Sequence, residues 1–193
     1  MTLPTHDTHL TGERVGLRPF AEADFDAVVL WWDDPEVMDG AEGKENPRYS
    51  REQIERIYRG GIEKWEALLF IIEAEGRAIG ETWLQRMNLD RGKAQPPDNA
   101  WRIDIMIGEK ECWAKGCGSE AVRLLLRHAF EHLGADRVAA MDVFEFNERS
   151  LRMFRGCGLR EVRRVPDLVE RRGKKFAEVD LEITRGEWVG AGG

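Results

Sequence analysis

Apolar residues recur with two periods along this chain, and the changes from one period to the other mark out its elements. Phe25, Val28, Val29 and Trp32 fall at spacings of three and four, which predicts a helix over Ala21 to Trp32. Ile54, Ile57 and Tyr58 predict a second helix. Ser50 and Gln53 open it as a capping box, and Gly60-Gly61 is expected to bend it or divide it from Ile62 to Trp65. The continuous run Leu68 to Glu73 predicts a buried strand, and Glu75-Gly76 a hairpin turn into Ala78 through Leu84. From Trp101 to Ile107 the pattern alternates. Trp101, Ile103, Ile105 and Ile107 point one way and Arg102, Asp104 and Met106 the other, so one face meets the core and the other can line a cleft. Ser119 to His132 reads as an amphipathic helix with Val122, Leu125, Leu126, Ala129 and Leu133 on one stripe. A strand over Val138 to Phe146 follows, then a short helix from Asn147 or Glu148 to Cys157 that Gly158 ends. Val162 to Val169 and Lys175 to Thr184 are predicted strands around a turn at Arg172-Gly173. Near the start, Arg14 to Pro19 is a short strand stopped by its proline.

The polar stretches between these runs are predicted loops. Asp33-Asp34-Pro35 ends the first helix. Glu36 to Tyr49, with Gly40, Gly43 and Pro47, reads as a loop, as does 86–99, which is long enough to suggest a functional role. Residues 1–9 and 189–193 are expected to be flexible. No repeat or linker divides the chain, so one domain over 1–193 is expected.

Composition narrows the function. The sequence is 42% hydrophobic and 34% charged, as a folded globular protein with solvated faces would be, and carries a net charge of −7. That sign argues against nucleic acid as a partner. It is compatible with a cationic substrate, though ordinary acidic solubility accounts for it more readily. Cys112, Cys117 and Cys157 are odd in number and form no C-x-x-C pair, which points to reduced thiols in a cytoplasmic protein rather than disulfides or zinc. His6 and His9 lack a surrounding ligand cluster, so no metal is expected. No apolar run approaches the ~18 residues of a membrane span.

The most informative stretch runs from Trp113 to Ala121, between the alternating strand and the amphipathic helix. Glycines there let the backbone adopt positive φ and approach a ligand, and the first helical N–H groups lack internal partners. Strand, glycine loop and helix N-terminus together form a cradle for phosphate or pyrophosphate. Gly116-x-Gly118-x-x-Ala121 matches a relaxed dinucleotide fingerprint, with Asp142 or Glu145 ~20 residues on. Against that reading, eight mostly polar residues separate Ile107 from Gly116, and the upstream strands are joined by hairpins.

Trp113-Ala114-Lys115-Gly116-Cys117-Gly118 resembles the pyrophosphate loop of the GNAT superfamily, the acetyl-CoA-dependent N-acetyltransferases, whose pattern is Gln/Arg-x-x-Gly-x-Gly/Ala. Tryptophan in first position is similar to the subgroup of ribosomal-protein N-terminal acetyltransferases, where Trp-Gly-x-Gly-Tyr-Gly/Ala-Thr-Glu-Ala is common. Ala114 replaces a usual glycine and Cys117 a usual tyrosine. Leu10 to Pro19 resembles the opening strand, Trp32 to Met38 the end of the first helix, and Asn147 to Leu159 the Asn-x-x-Ser-x-x-x-Tyr/Leu/Phe-x-x-x-Gly-Phe motif. The phrases Ile79 to Leu84 and Arg102 to Lys110 are also similar to aminoglycoside 6′-acetyltransferases.

The resemblance implies an α+β fold: a mixed, mostly antiparallel sheet, helices on both faces and a splayed strand pair that holds the cofactor. It implies acetyl transfer from acetyl-CoA to a primary amine by direct attack. The acceptor would be an aminoglycoside, a polyamine or a protein N-terminus, and homodimer formation is left open. Backbone groups of Ile105, Met106 and Ile107 would hold the pantetheine, and residues Trp113, Ala114, Lys115, Gly116, Cys117, Gly118 and Ser119 the pyrophosphate. Asn147 and Phe154 would contact the cofactor arm. Phe154 stands where relatives often have a tyrosine that protonates the thiolate. The position often acidic in relatives is Arg102, so Asp104, then Glu81 and then Asp142 are the candidate bases. Trp83, Arg102 and Asp142 are candidate substrate contacts. A non-catalytic acyl-CoA-binding module is the alternative that Phe154 supports.

Overall fold

The computed structural model describes residues 3, 6–41, 48–64, 66–87 and 98–190, and one open eight-stranded sheet lies at its centre. The strands are β1 (Leu10–Thr11), β2 (Gly16–Pro19), β3 (Leu68–Ala74), β4 (Arg77–Arg86), β5 (Ala100–Ile107), β6 (Arg137–Phe144), β7 (Arg160–Arg171) and β8 (Lys174–Thr184). Their order is β1-β2-β3-β4-β5-β6-β8-β7, antiparallel throughout except for the parallel pair β5 and β6. The helices are α1 (Phe25–Asp33), α2 (Pro35–Ala41), α3 (Arg51–Lys64), α4 (Cys117–Glu131), α5 (Glu148–Gly156) and α6 (Arg185–Gly190). The architecture is the mixed α+β arrangement the sequence predicts.

Helices cover both faces of the sheet. Leu69, Ile71, Trp83 and Met106 share one core with α1, α2 and α3, while Phe70, Ile72, Leu84 and Ile103 share the other with α4 and α5. A strand buried on both faces needs apolar residues at every position, which is why β3 reads as a continuous run. The alternation of β5 is observed as predicted, with Ile105 and Ile107 packed against the core of α4 and α5 and Met106 in the core shared with α1, α2 and α3. Glu75-Gly76 and Arg172-Gly173 form the two tight hairpins. All four residues have positive φ, as the turn whose twist matches the flanking strands requires.

Several elements depart from the prediction. The expected loop from Glu36 contains α2. Pro35 takes the first helical position, where its missing N–H costs nothing, and Asp34 Oδ1 accepts the N–H groups of Glu36 (2.9 Å) and Val37 (3.4 Å). Gly60-Gly61 does not interrupt α3, because Ile54, Tyr58 and Ile62 hold one continuous buried face; Trp65 lies outside the described residues. α4 begins two residues earlier than expected. Of the expected flexible end at 189–193, Val189 and Gly190 belong to α6, and 191–193 lie outside the described residues. In the lead, Leu3 is buried and His6 packs edge-on against Phe70 while bonding Leu69 O at 3.0 Å, so 1–9 is not wholly free of the fold. Of the long loop at 86–99, residues 88–97 lie outside the described residues. Asn99 is pinned by bonds from its N–H to Asp136 (2.9 Å) and from its side chain to Leu133 O (2.8 Å).

Candidate active site

The site begins where two strands part. β4 and β5 stay in register as far as Gly80 and Ile107, but β5 and β6 pair only from Ala100–Arg137 to Arg102–Ala139. Beyond that point β6 bends away. Its ladder with β8 shifts between Ala140 and Val143, where Asp142 takes φ 57° and gives its N–H to Asp180 Oδ1 at 2.9 Å. A bulge of this kind re-aims the strand. The edge of β5 from Ile103 to Ile107 is thereby left facing a wedge. Two hollows of about 430 and 350 Å³ open into it and share Gly40, Ala41, Ile105, Met106, Asn147 and Ser150 in their walls.

The larger hollow ends at the glycine loop. Ala114 (φ 59°) and Gly116 (φ 87°) both have left-handed backbone, which turns successive N–H groups to one side. Gly116 is the N-cap of α4, and no side chain caps that end. A Cβ on Gly118 would lie 2.9 Å from Met153 Sδ and 3.7 Å from Ile107 Cγ1, so glycine keeps the hollow open. The N–H groups of Cys117, Gly118 and Ser119 belong to the first turn of α4, and an anion is the partner they suit. This donor set fits a pyrophosphate. Ile105, Met106, Ile107, Trp113, Ala114, Gly116, Gly118, Ser119 and Asn147 all line this hollow. Lys115 is exposed and takes no part in the wall, while the Cys117 side chain points into the core. Asn147 caps α5 by accepting Ser150 N–H at 3.1 Å and donates to Gly40 O at 2.8 Å, latching α5 to α2. Trp113 gives its indole N–H to Ile107 O at 2.8 Å, and Arg149, which the sequence did not single out, lies over its ring.

The smaller hollow holds the ionisable groups. The period-two pattern of β4 and β5 turns Glu81, Trp83, Arg102, Asp104 and Met106 toward it, and Phe154 and Asp142 complete that part of its wall. Glu81 is buried, and burial pushes its pKa up to about 8. Tyr58 and Trp83 each hydrogen-bond its carboxyl, and Asp104 adds a smaller upward push. Oε2 of Glu81 has no hydrogen-bond partner among the described residues. Tyr58 is itself fully buried, accepts the Trp32 indole N–H at 3.1 Å and has its pKa raised by that burial and by Glu81. Asp104 differs. Arg102 bonds its Oδ1 through Nε at 2.8 Å and Nη2 at 2.7 Å, and Gln85 bonds Oδ2. Burial raises the Asp104 pKa while Arg102 opposes the shift. Arg102 also approaches Asp142 at 3.7 Å. The first-ranked candidate base is therefore ion-paired, and the second is the one with a free oxygen. Tyr58 and Trp32 escape sequence reasoning because they reach Glu81 from other elements, with no spacing to announce it.

Asp142, Glu178 and Asp180 bring three carboxylates together beside this hollow. Arg163 fills the cluster at 2.9 Å from Asp180 and 3.6 Å from Glu178. The pieces of the dinucleotide fingerprint do not build a doubly wound fold, since β2 through β5 are antiparallel and β5-α4-β6 is a lone crossover.

Comparison with known proteins agrees with this geometry. The family model described as an acetyltransferase (GNAT) domain matches residues 14–160. The uncharacterized N-acetyltransferase p20 of Bacillus licheniformis is 23% identical over 181 residues, 92% of this chain and 97% of that protein. Spermidine N-acetyltransferase from Vibrio cholerae, solved with CoA and spermine, superposes with a TM-score of 0.76 at 17% identity, covering 92% of this chain and 99% of that one. The aminoglycoside acetyltransferase AAC(6′)-Ib, solved with ribostamycin and coenzyme A, does so with a TM-score of 0.76 at 19% identity over 92% and 97% of the two chains. With a family model spanning most of its length and the splayed sheet and glycine loop in place, the chain belongs to the GNAT acetyltransferase family.

Proposed function

We propose that this protein is an acetyl-CoA-dependent N-acetyltransferase acting on a small cationic amine, with Glu81 as the base. The observation that carries the reading is the buried, half-partnered Glu81 carboxyl in a hollow that meets the pyrophosphate-type loop through the splayed strands. Acetyl-CoA, when bound, supplies the activated acyl group. The chain's own residues then have three tasks. The N–H groups of Cys117, Gly118 and Ser119 hold the pyrophosphate, and the open edge of β5 at Ile105, Met106 and Ile107 aligns the pantetheine as an added strand would. Glu81 accepts the proton that the acceptor ammonium must lose, and its raised pKa makes it a stronger base than an ordinary carboxylate. Hydrogen bonds from Tyr58 and Trp83 to its carboxyl oppose part of that rise. Phe154 has no proton to return to the leaving sulfur, so solvent does so.

Asp104 and Asp142 outnumber Arg102 in the hollow, which supports a cationic acceptor. Relatives of the same fold carry spermine or ribostamycin, both amines, and this likeness supports the same class here. Trp83 and Arg102 complete the acceptor wall. The alternative, a non-catalytic acyl-CoA-binding module, rests on Phe154. Incubation with acetyl-CoA and a panel of polyamines, aminoglycosides and peptide N-termini, followed by release of free thiol, separates the two. Thiol release with one amine class, lost in Glu81→Gln, is the expected result. Tight acetyl-CoA binding with no turnover on any amine would leave only the module.

A further inference from the structure

Two arginines of α5, Arg149 and Arg152, stand one turn apart in the wall of the larger hollow. Their charges are in different states. Arg152 Nη1 donates to Glu148 Oε2 at 2.9 Å, so it is answered on its own helix. Arg149 lies over Trp113, its guanidinium carbon 3.6 Å from the ring centroid, and no carboxylate pairs with it among the described residues. Among the described residues, the acidic groups nearby are already committed elsewhere. Glu36 bonds Lys110 at 3.0 Å, Asp39 pairs with Arg171, and Glu148 holds Arg152. Among the described residues that line the hollow, Arg149 is thus the cation without a carboxylate partner.

Its position is fixed in advance. The Trp113 indole is anchored to Ile107 O, and the guanidinium stacks on the anchored ring, leaving the N–H donors at its edge free. A planar cation held with its edge open matches a phosphate, which takes two parallel N–H bonds from one guanidinium. Preorganisation removes much of the ordering cost of binding. The first-turn N–H groups of α4 already serve one diphosphate, so the guanidinium fits a further phosphoryl group on the same ligand.

We propose that Arg149, stacked on Trp113, binds the 3′-phosphate of coenzyme A and makes the hollow selective for the 3′-phosphorylated cofactor. The proposal rests on the acetyl-CoA reading of the site.

Titration calorimetry on the full chain with coenzyme A and with 3′-dephospho-coenzyme A tests it. The wild type should prefer coenzyme A by about tenfold or more, the scale of one charge-assisted contact. Arg149→Ala should weaken coenzyme A by that factor while leaving the dephospho form within about twofold, so that the preference collapses. Arg149→Lys, which keeps the charge but not the stacked fork, should recover only part of it. Equal weakening of both ligands would overturn the assignment in favour of the pyrophosphate. No change in either would overturn it and leave the pair as packing alone. Thermal unfolding of both variants checks that they are folded. If the wild type bound neither ligand, the acetyl-CoA reading would fall first, and the proposal with it.

Discussion

At the scale of single residues, the site turns on one carboxyl. Glu81→Gln should lower kcat by about a hundredfold or more with little change in acetyl-CoA affinity, because the loss falls on proton transfer. The wild-type rate should climb as pH rises through about 8, where Glu81 loses its proton, and the variant should lack that limb. Stability should move the other way. The unfolded carboxyl titrates near 4.5 and the folded one near 8. Between those values the folded state holds a proton that the unfolded state has released, so Glu81 costs increasing stability as pH rises across that window. Urea unfolding should therefore find Glu81→Gln equal to wild type below pH 4.5 and more stable by on the order of a few kcal/mol above pH 8. Tyr58→Phe removes a donor from the carboxyl and should push the rising limb of the rate profile to higher pH, at about 1 kcal/mol in stability. Both carboxylates, Glu81 and Asp104, were legible in the sequence, Asp104 from the alternation of β5 and Glu81 from its place on the preceding hairpin strand. Their ranking was not. It depends on Arg102 and Gln85 holding Asp104 while Tyr58 reaches Glu81 from α3, and contacts between separate elements leave no trace in spacing.

At the scale of elements, the glycine loop was legible and α2 was not. Strand, loop and helix each carry a local signal: alternation, positive-φ residues, an apolar stripe. α2 is seven residues long, and its buried residues Val37 and Met38 are adjacent, too few to display a period. Its signature lies in Asp34-Pro35, a cap followed by a first-turn proline, which a search for periodicity passes over. The loop also carries a cost that can be tested. Ala114 has φ 59°, a conformation glycine adopts freely and alanine resists. Ala114→Gly should raise stability by about 0.5–1 kcal/mol, whereas Gly116→Ala should lower it by about 1–2 kcal/mol and weaken acetyl-CoA binding; chemical unfolding and calorimetry measure the two effects. Gly80 is stricter. A Cβ there would sit 2.2 Å from the Met106 carbonyl oxygen, so Gly80→Ala should force β4 from β5 and lower Tm by about 10 °C or more.

At the scale of the whole molecule, the class of the fold and the parting of β5 from its neighbour both followed from the motif resemblance, while the bulge that turns β6 away did not, because it depends on a non-glycine residue, Asp142, taking a positive φ. Acid should act on the fold through its histidines. Burial lowers the pKa of His6 and His128 below the ordinary 6.5, and Nε2 of His128 is enclosed without a partner among the described residues. The stability these neutral rings permit is present above pH 6.5 and lost as pH falls from there through their lowered values, since the unfolded chain takes up protons first. Replacing His128 with leucine should flatten this limb, keeping Tm about 2–5 °C higher than wild type near pH 5. The wedge itself has a further consequence. Three residue pairs are all that join β5 to β6, so the sheet has a seam with β1 to β5 on one side and β6, β8 and β7 on the other. A ligand lying along β5 would act as a missing rung across that seam. Amide exchange at 103–107 should then slow on saturation with acetyl-CoA, and protection should rise with it along β6 on the far side of the seam.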